Sequence, residues 1–337
     1  MKKTLAFLLC ALMILALTAC AAGTPKTEPE AKTTEAEQPA PAQTPDETPA
    51  EPAEEEKTYN IAVSLMNIDA FMSYVAEGAK NYGEDYPNVK VTVYDAKGDA
   101  GAQLTTIENV LTQGVDAIVI TPVDTDATAP ITQLCEEYGV PLIATNARCS
   151  TATTTFVGSD NVTSGKQETQ CVVDLLGGKG SVVILAGNLA SQNGRDRLSG
   201  AHEILDPLSE MTVLAEQAAN WSRAEAMEIT ENWLQSGMEI DAIIAGNDEM
   251  AIGAALACEE LGVEIPIVGV GGTVDGLNAV LNGQIYATVF WNGFQQGYVG
   301  VEAAVRALDG ETLPEYIDIE TALVYKDGAQ EYLALFQ

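Results

Sequence analysis

What this chain can do chemically rests on amides, carboxylates and indoles rather than on nucleophiles or metals. It has 337 residues and a single histidine, His202. His202-Glu203 is not followed by a second histidine four residues on, so no zincin motif exists. No Gly-x-Ser-x-Gly elbow occurs, and His202 reads as a helix-surface residue, which leaves no base for a serine or cysteine nucleophile. The cysteines beyond residue 20 are Cys135, Cys149, Cys171 and Cys258, with no Cys-x-x-Cys pair. Soft-metal centres need clustered Cys and His ligands, so no metal site is expected. Three of these thiols fall within apolar helical patterns and read as small hydrophobes; a disulfide is compatible with the compartment inferred below. Gly269-Val-Gly271-Gly272 follows a strand, but the third glycine of a dinucleotide fingerprint would fall at Val274, so no nucleotide cofactor is expected.

The elements that position the remaining polar residues are regular. From Thr58 on, short Val/Ile-rich runs alternate with amphipathic stretches: Asn60–Ser64, Val89–Tyr94, Asp116–Ile120 and Pro141–Thr145, then Ser181–Leu185, Thr212–Ala215, Asp241–Ala245, Ile267–Val270 and Ala287–Phe290. Near-continuous apolar strands with helical spacers predict parallel sheets covered on both faces. An internal echo shows a duplication. Leu111-Thr-Gln-Gly114 precedes Asp116-Ala-Ile-Val-Ile, and Leu234-Gln-Ser-Gly237 precedes Asp241-Ala-Ile-Ile-Ala; in each a glycine ends a helix before an Asp-Ala-Ile strand. The 280 residues from Thr58 to Gln337 exceed what one core usually spans, so two doubly wound α/β lobes are expected.

Ligands of such sheets bind beyond the carboxyl ends of the strands. The residues found there are Ser64, Asn67, Asp95, Asp124, Asn146, Asn188, Asn220, Trp221, Asn247, Asp248, Trp291 and Asn292. Asp124, Asp126 and Asp248 read as helix caps. Trp221 and Trp291 read as stacking surfaces for the C–H face of a sugar, and Trp233, within an apolar helix, as core.

Of the 16 basic and 49 acidic residues, 11 and 39 lie at or beyond Thr58, a net charge of −28. That argues against nucleic acid and against electrostatic capture of anions. At the other end, Lys2 and Lys3 precede an apolar run, Leu5–Leu17, that leads through Thr18-Ala19 into Cys20. The run is shorter than the roughly 20 residues of a spanning helix. It resembles the bacterial lipoprotein box, in which the cysteine is acylated after residues 1–19 are cleaved as a signal peptide. Acyl chains contribute about 0.8 kcal/mol per buried methylene, enough for two of them to hold a domain at a membrane. Ala21–Lys57 carries seven prolines, ten acidic residues and three lysines, with no aromatic or branched aliphatic residue. Such a composition predicts a disordered, extended tether over residues 20–57.

Beyond the tether the chain resembles the type I periplasmic (solute-binding) proteins of bacterial sugar importers, the ribose-, galactose- and inositol-binding proteins, from Asn60 to about Val324. Gly114-Val-Asp-Ala-Ile-Val-Ile-Thr-Pro-Val-Asp124, Val157-Gly-Ser-Asp160, Leu176-Gly-Gly-Lys-Gly180, Ala219-Asn-Trp-Ser-Arg223 and Asn247-Asp-Glu-Met-Ala-Ile-Gly-Ala254 carry the likeness. Asn220–Gln235 looks most like the inositol and rhizopine branch. The resemblance implies two Rossmann-like lobes, 58–159 plus 292–320 and 160–291 plus 321–337, joined by three crossings near Ser159, Trp291–Asn292 and Ile319–Ala322. It implies ligand contacts from Ser64 or Asn67, Phe71 and Asn146 in the first lobe. Arg195 supplies a fork of donors, Trp221 an aromatic platform and Asn247 an amide.

Two departures stand out. The family usually has an aspartate at Gly271 and Gln or Asn at Trp291, both hydroxyl partners. Their loss makes that wall less polar and points to a deoxy, methylated, amino or otherwise less hydroxylated ligand; glycine at 271 is expected to make room for the Trp291 ring. The implied role is a non-enzymatic, monomeric receptor for a small neutral or cationic polyhydroxylated solute. It needs no cofactor and delivers the solute to the membrane subunits of an ABC importer. The alternative is a sensor partner of a chemoreceptor or histidine kinase. Cys20→Ala is expected to abolish membrane retention while leaving the lobes folded, because the tether composition offers nothing to pack. Mutant protein that stays with membranes after a salt wash refutes the lipobox reading.

Overall fold

The computed structural model describes residues 57–336. The residues read from the sequence as a signal peptide, a lipidated Cys20 and a tether lie, up to residue 56, outside the described residues. The first run of elements is β1 (Tyr59–Leu65), α1 (Ala70–Asp85), β2 (Val89–Asp95), α2 (Ala100–Thr112), β3 (Ala117–Ile120), α3 (Ala129–Tyr138), β4 (Leu142–Thr145) and β5 (Thr155–Gly158). The second is α4 (Asn161–Leu176), β6 (Gly180–Ala186), α5 (Gln192–Leu205), β7 (Met211–Ala218), α6 (Arg223–Gln235), β8 (Ala242–Ala245), α7 (Asp248–Leu261), β9 (Ile267–Gly271), α8 (Val274–Asn282) and β10 (Ala287–Trp291). A closing segment adds α9 (Gly293–Leu308), β11 (Tyr316–Asp318), β12 (Thr321–Tyr325) and α10 (Lys326–Leu333).

The strands form two six-stranded sheets, ordered β11-β5-β4-β3-β1-β2 and β12-β10-β9-β8-β6-β7. Every pair is parallel except β10 with β12. The two orders are the same pattern written twice, and in each the strand order reverses beside the first strand, between β1 and β3 and between β6 and β8. Ligand sites of open α/β sheets lie at that reversal, beyond the strand carboxyl ends. The doubly wound two-lobe α/β class expected from the sequence is what the chain adopts.

Strands β5, β11 and β12 were not marked by the apolar pattern. β11 has three residues and β12 is a half-exposed edge strand, so neither carries a long buried run. Both are the chain's return passages. The polypeptide passes from the first sheet to the second after β5, returns between β10 and α9, and passes again between β11 and β12. Ser159 Oγ donates to the Ile319 carbonyl at 2.6 Å, and Ile319 N–H donates to the Gly158 carbonyl at 2.9 Å, so the first and third passages are tied side by side.

Helices cover both faces of each sheet and divide the core into layers. Ile61, Val63, Val75 and Val119 lie on one face of the first sheet, and Ile107, Ile118, Ile120 and Leu142 on the other. In the second sheet, Leu185, Ile243 and Met250 pack with Trp233. A small separate cluster of Val270, Val289 and Trp291 touches Phe71 and Leu323 at the passages between the sheets. Among the described residues no helix is long and apolar enough to cross a membrane.

Trp233 is only 7% exposed and lies within that core. Truncating a buried aromatic costs about 3–5 kcal/mol. Trp233→Ala is expected to lower the denaturant midpoint accordingly, as read by circular dichroism, while the folded fraction keeps its cleft chemistry. An unshifted midpoint would show that the indole is not part of the core.

Candidate functional site

The carboxyl ends of the two sheets face each other across a partly open cleft. Met66, Asp69, Phe71, Met72, Asn146 and Ala147 line it from the first sheet's side. The second sheet's side contributes Ser191, Asn193, Arg197, Trp221, Asn247, Asp248, Glu249, Val270, Gly271, Thr273 and Trp291. Six residues singled out from the sequence meet there: Phe71, Asn146, Trp221, Asn247, Gly271 and Trp291. Three do not.

Ser64 lies inside β1, which runs on to Leu65, and is buried; its Oγ accepts from Gln103 Nε2 at 3.3 Å and helps pin α2. Asn67 donates from Nδ2 to Asp69 Oδ2 at 3.3 Å and stays off the cleft wall, where Asp69 stands instead. Arg195 is half-buried and turned away. Its Nη1 donates to the carbonyls of Leu189 and Ala190 at 2.8 and 3.0 Å, and Nη2 lies 3.9 Å from Asp126. The arginine that faces the cleft is Arg197. Two residues on a helix are about 200° apart, so Arg195 and Arg197 cannot share a face of α5. Asn193 and Arg197, four apart, do share one, and that i, i+4 spacing was the available signal.

Arg197 is buried, and its surroundings take two of its five N–H donors. Nε donates to Asn161 Oδ1 at 3.0 Å and Nη1 to the Gly246 carbonyl at 2.6 Å. Its Cζ stands 4.3 Å from the Trp291 ring centre and 5.4 Å from that of Trp221, so the guanidinium lies between two indoles. Burial pulls its pKa down to about 10, against the pull of Glu168 and Asp248. Glu168, on α4, is itself buried; burial pushes its carboxyl well above the usual range although Arg197 opposes the shift, and its Oε2 has no partner.

The aromatic walls are held differently. Trp291 is fully buried; its Nε1 donates to Ser164 Oγ at 2.8 Å and Phe71 meets it edge-on with centroids 6.3 Å apart. Trp221 is half-buried and follows Asn220 into left-handed backbone, with φ of 66° and 51° respectively. A bulky residue in that region is held only by its surroundings. Here a Cβ at Gly187 would fall 1.9 Å from the Trp221 ring, so the indole lies flat on bare backbone. Asn247 caps α7, accepting from Met250 N–H at 2.9 Å, and its Nδ2 reaches the Trp221 carbonyl at 3.4 Å.

Asp248 is not the cap its position implied, because Asn247 takes that role. Its carboxylate is buried, with Oδ2 accepting from Thr273 N–H and Oγ1 at 2.8 and 3.0 Å and Oδ1 from Thr288 Oγ1 at 2.6 Å. Burial raises its pKa and those hydrogen bonds offset part of the rise. This carboxylate also explains Gly271. A Cβ there would lie 3.0 Å from Asp248 Oδ2, on backbone with φ of 146°. The room at 271 is therefore taken by Asp248, not by the Trp291 ring as the sequence led one to expect.

The assembled site offers amides, one guanidinium and aromatic faces. Planar donors and acceptors of this kind pair with hydroxyl groups. Among the described residues no group of three or more His, Cys, Asp or Glu is placed to hold a metal ion. His202 lies on the surface, bonded to Asp206 and Glu216.

Residues 61–312 match the family model described as a periplasmic binding protein domain, and the chain belongs to that family. A xylitol-binding protein of Mycolicibacterium smegmatis is 36% identical over 266 residues, covering 77% of this chain and 76% of that protein. A Rhizobium meliloti protein to which rhizopine binding is ascribed is 35% identical over 274 residues, covering 78% and 89%. The crystal structure of an ABC transporter solute-binding protein from Bacillus halodurans with bound myo-inositol superposes with a TM-score of 0.80 at 34% identity, over 84% of this chain and 99% of that one.

Removing a hydrogen-bonding charged group from a buried site weakens binding about tenfold or more. Arg197→Ala is expected to do so in calorimetric titrations with myo-inositol, xylitol and ribose, whereas Arg195→Ala stays within about twofold. The reverse ranking would return the role to Arg195.

Proposed function

We propose that this protein is an extracytoplasmic receptor, anchored by acylated Cys20, that encloses one small polyhydroxylated solute between its lobes and delivers it to an ABC importer. The lobes are residues 58–159 with 292–320 and residues 160–291 with 321–337. The observation that carries the reading is the composition of the cleft: Asn146, Asn247 and Arg197 converge between Phe71, Trp221 and Trp291. Amide and guanidinium planes bind hydroxyls bidentately, and an indole covers the apolar face of a ring. A site built this way rejects analogues that lack a hydroxyl, since its own polar groups are then left unpaired.

The relatives support the ligand class. One is named for xylitol, and one solved structure holds myo-inositol. Trp291, spent on Ser164 and Arg197, gives a wall with little to offer a hydroxyl. Gly271 has no side chain to offer one either. The solute is therefore a cyclitol or sugar with fewer hydroxyls on that side, neutral or cationic. Binding closes the cleft about the three passages, the usual response of two lobes on narrow connections. The role is capture and release, without turnover.

Calorimetry against cyclitols, pentitols, sugars and amino sugars, with small-angle scattering on the same samples, tests this. Binding of one such compound with a smaller radius of gyration at saturation is expected. Tight binding of a peptide or free metal ion with none to any polyol, or an unchanged scattering profile at saturation, overturns it.

A further inference from the structure

Arg197 sets the direction of a chain of buried amides that leads out of its own lobe and into the other. A guanidinium has donors and no acceptor, so Asn161 must present Oδ1 to it. Asn161 Nδ2 then faces outward and donates to Asn193 Oδ1 at 3.0 Å. Asn193 in turn aims Nδ2 at Asn146 Oδ1 at 2.8 Å, and Asn146 donates from Nδ2 to Gln296 Oε1 at 3.0 Å. All five residues are buried, and the chain ends at Gln296 Nε2, which has no partner. Which end of an amide is oxygen is ordinarily an assignment. Here the arginine fixes it for each member in turn.

Asn161, Asn193 and Arg197 stand on α4 and α5, whereas Asn146 follows β4 and Gln296 stands on α9, which packs against α1 and β4. The link from Asn193 to Asn146 is where the amides pass from one lobe to the other; nearby, Gln192 N–H donates to Thr125 Oγ1 at 3.2 Å and Val274 N–H to Tyr74 Oη at 3.4 Å, both also between lobes. Asn193 and Asn146 also line the cleft, so the bond spans the space a solute enters. We propose that Asn193 is a positioning residue: it transmits the orientation Arg197 imposes to Asn146 and locks the lobes closed around the solute. The proposal rests on the polyol reading of the cleft. Two groups on opposing lobes meet only when the lobes close, so the bond slows release and leaves capture unchanged.

Stopped-flow tryptophan fluorescence on the full chain, with myo-inositol, xylitol and ribose as probes, separates the two rates. Asn193→Ala and the equally bulky Asn193→Leu are both expected to release a bound probe at least about tenfold faster, with association within about twofold of the unmodified chain. The leucine variant keeps the volume, so its behaviour distinguishes hydrogen bonding from packing should the alanine variant fold poorly. Release at the unmodified rate from Asn193→Leu overturns the proposal. So does lowered thermal stability without faster release, which marks a merely structural amide. If none of the three probes binds the unmodified chain while another class of compound does, the polyol reading has failed, and this inference with it.

Discussion

The cleft is organised around the burial of one positive charge. A guanidinium out of water is expensive unless its donors are met and its charge is balanced. The fold meets two of the five donors of Arg197 with a backbone carbonyl and an asparagine, covers its faces with Trp221 and Trp291, and sets Glu168 and Asp248 near enough to pull on its charge. Three of those neighbours are fixed by something else in turn. Trp291 is tied to Ser164, Asp248 to Thr273 and Thr288, and Trp221 lies on the bare backbone of Gly187.

Much of this was legible from residue types and spacing, and the failures have physical causes. Buried parallel strands announce themselves as Val/Ile runs, so nine of the twelve strands could be placed. β5, β11 and β12 could not: β11 has three residues, β12 is half exposed, and β5 follows a run of threonines with only Phe156 and Val157 to mark it. In the cleft, residues after strand ends were recoverable because strand direction fixes where they lie. Trp221, Asn146 and Asn247 follow from that rule. Side chains on helices were less so: Phe71 on α1 was found, but Arg195 stood in for Arg197, because helical phase decides which side faces the cleft. Arg195 and Arg197 differ by only two positions, yet that is more than half a turn.

Gly271 shows a different limit. A glycine in a sequence signals that something else needs the space, but not what. Trp291, a departure from the same family pattern, was the plausible claimant. The occupant is a carboxylate from α7, reached by a strand–helix contact that no local pattern encodes. The same contact bears on specificity. An aspartate at 271 would set a second carboxylate beside Asp248, on backbone that disfavours any side chain. This wall is thus constrained from behind as well as by the ligand, and its low polarity is a property of the packing.

An uncharged hydroxylated molecule gets no long-range steering from the net charge of −28 over residues 58–337. Affinity must then come from enclosure, and enclosure requires that the two lobes recognise each other only in one arrangement. Apolar contact alone is poorly suited to that, because it is non-directional and tolerates sliding. Hydrogen bonds between amides are directional, and an amide can be wrong in two ways, by position and by which end it presents. In this fold the second ambiguity is removed before the lobes meet, because Arg197 has already oriented Asn161, and Asn161 has oriented Asn193. What reaches Asn146 across the cleft is a donor in a defined place. The buried charge therefore does more than bind hydroxyls: it gives the closing surface a polarity that an all-amide or all-apolar surface would lack.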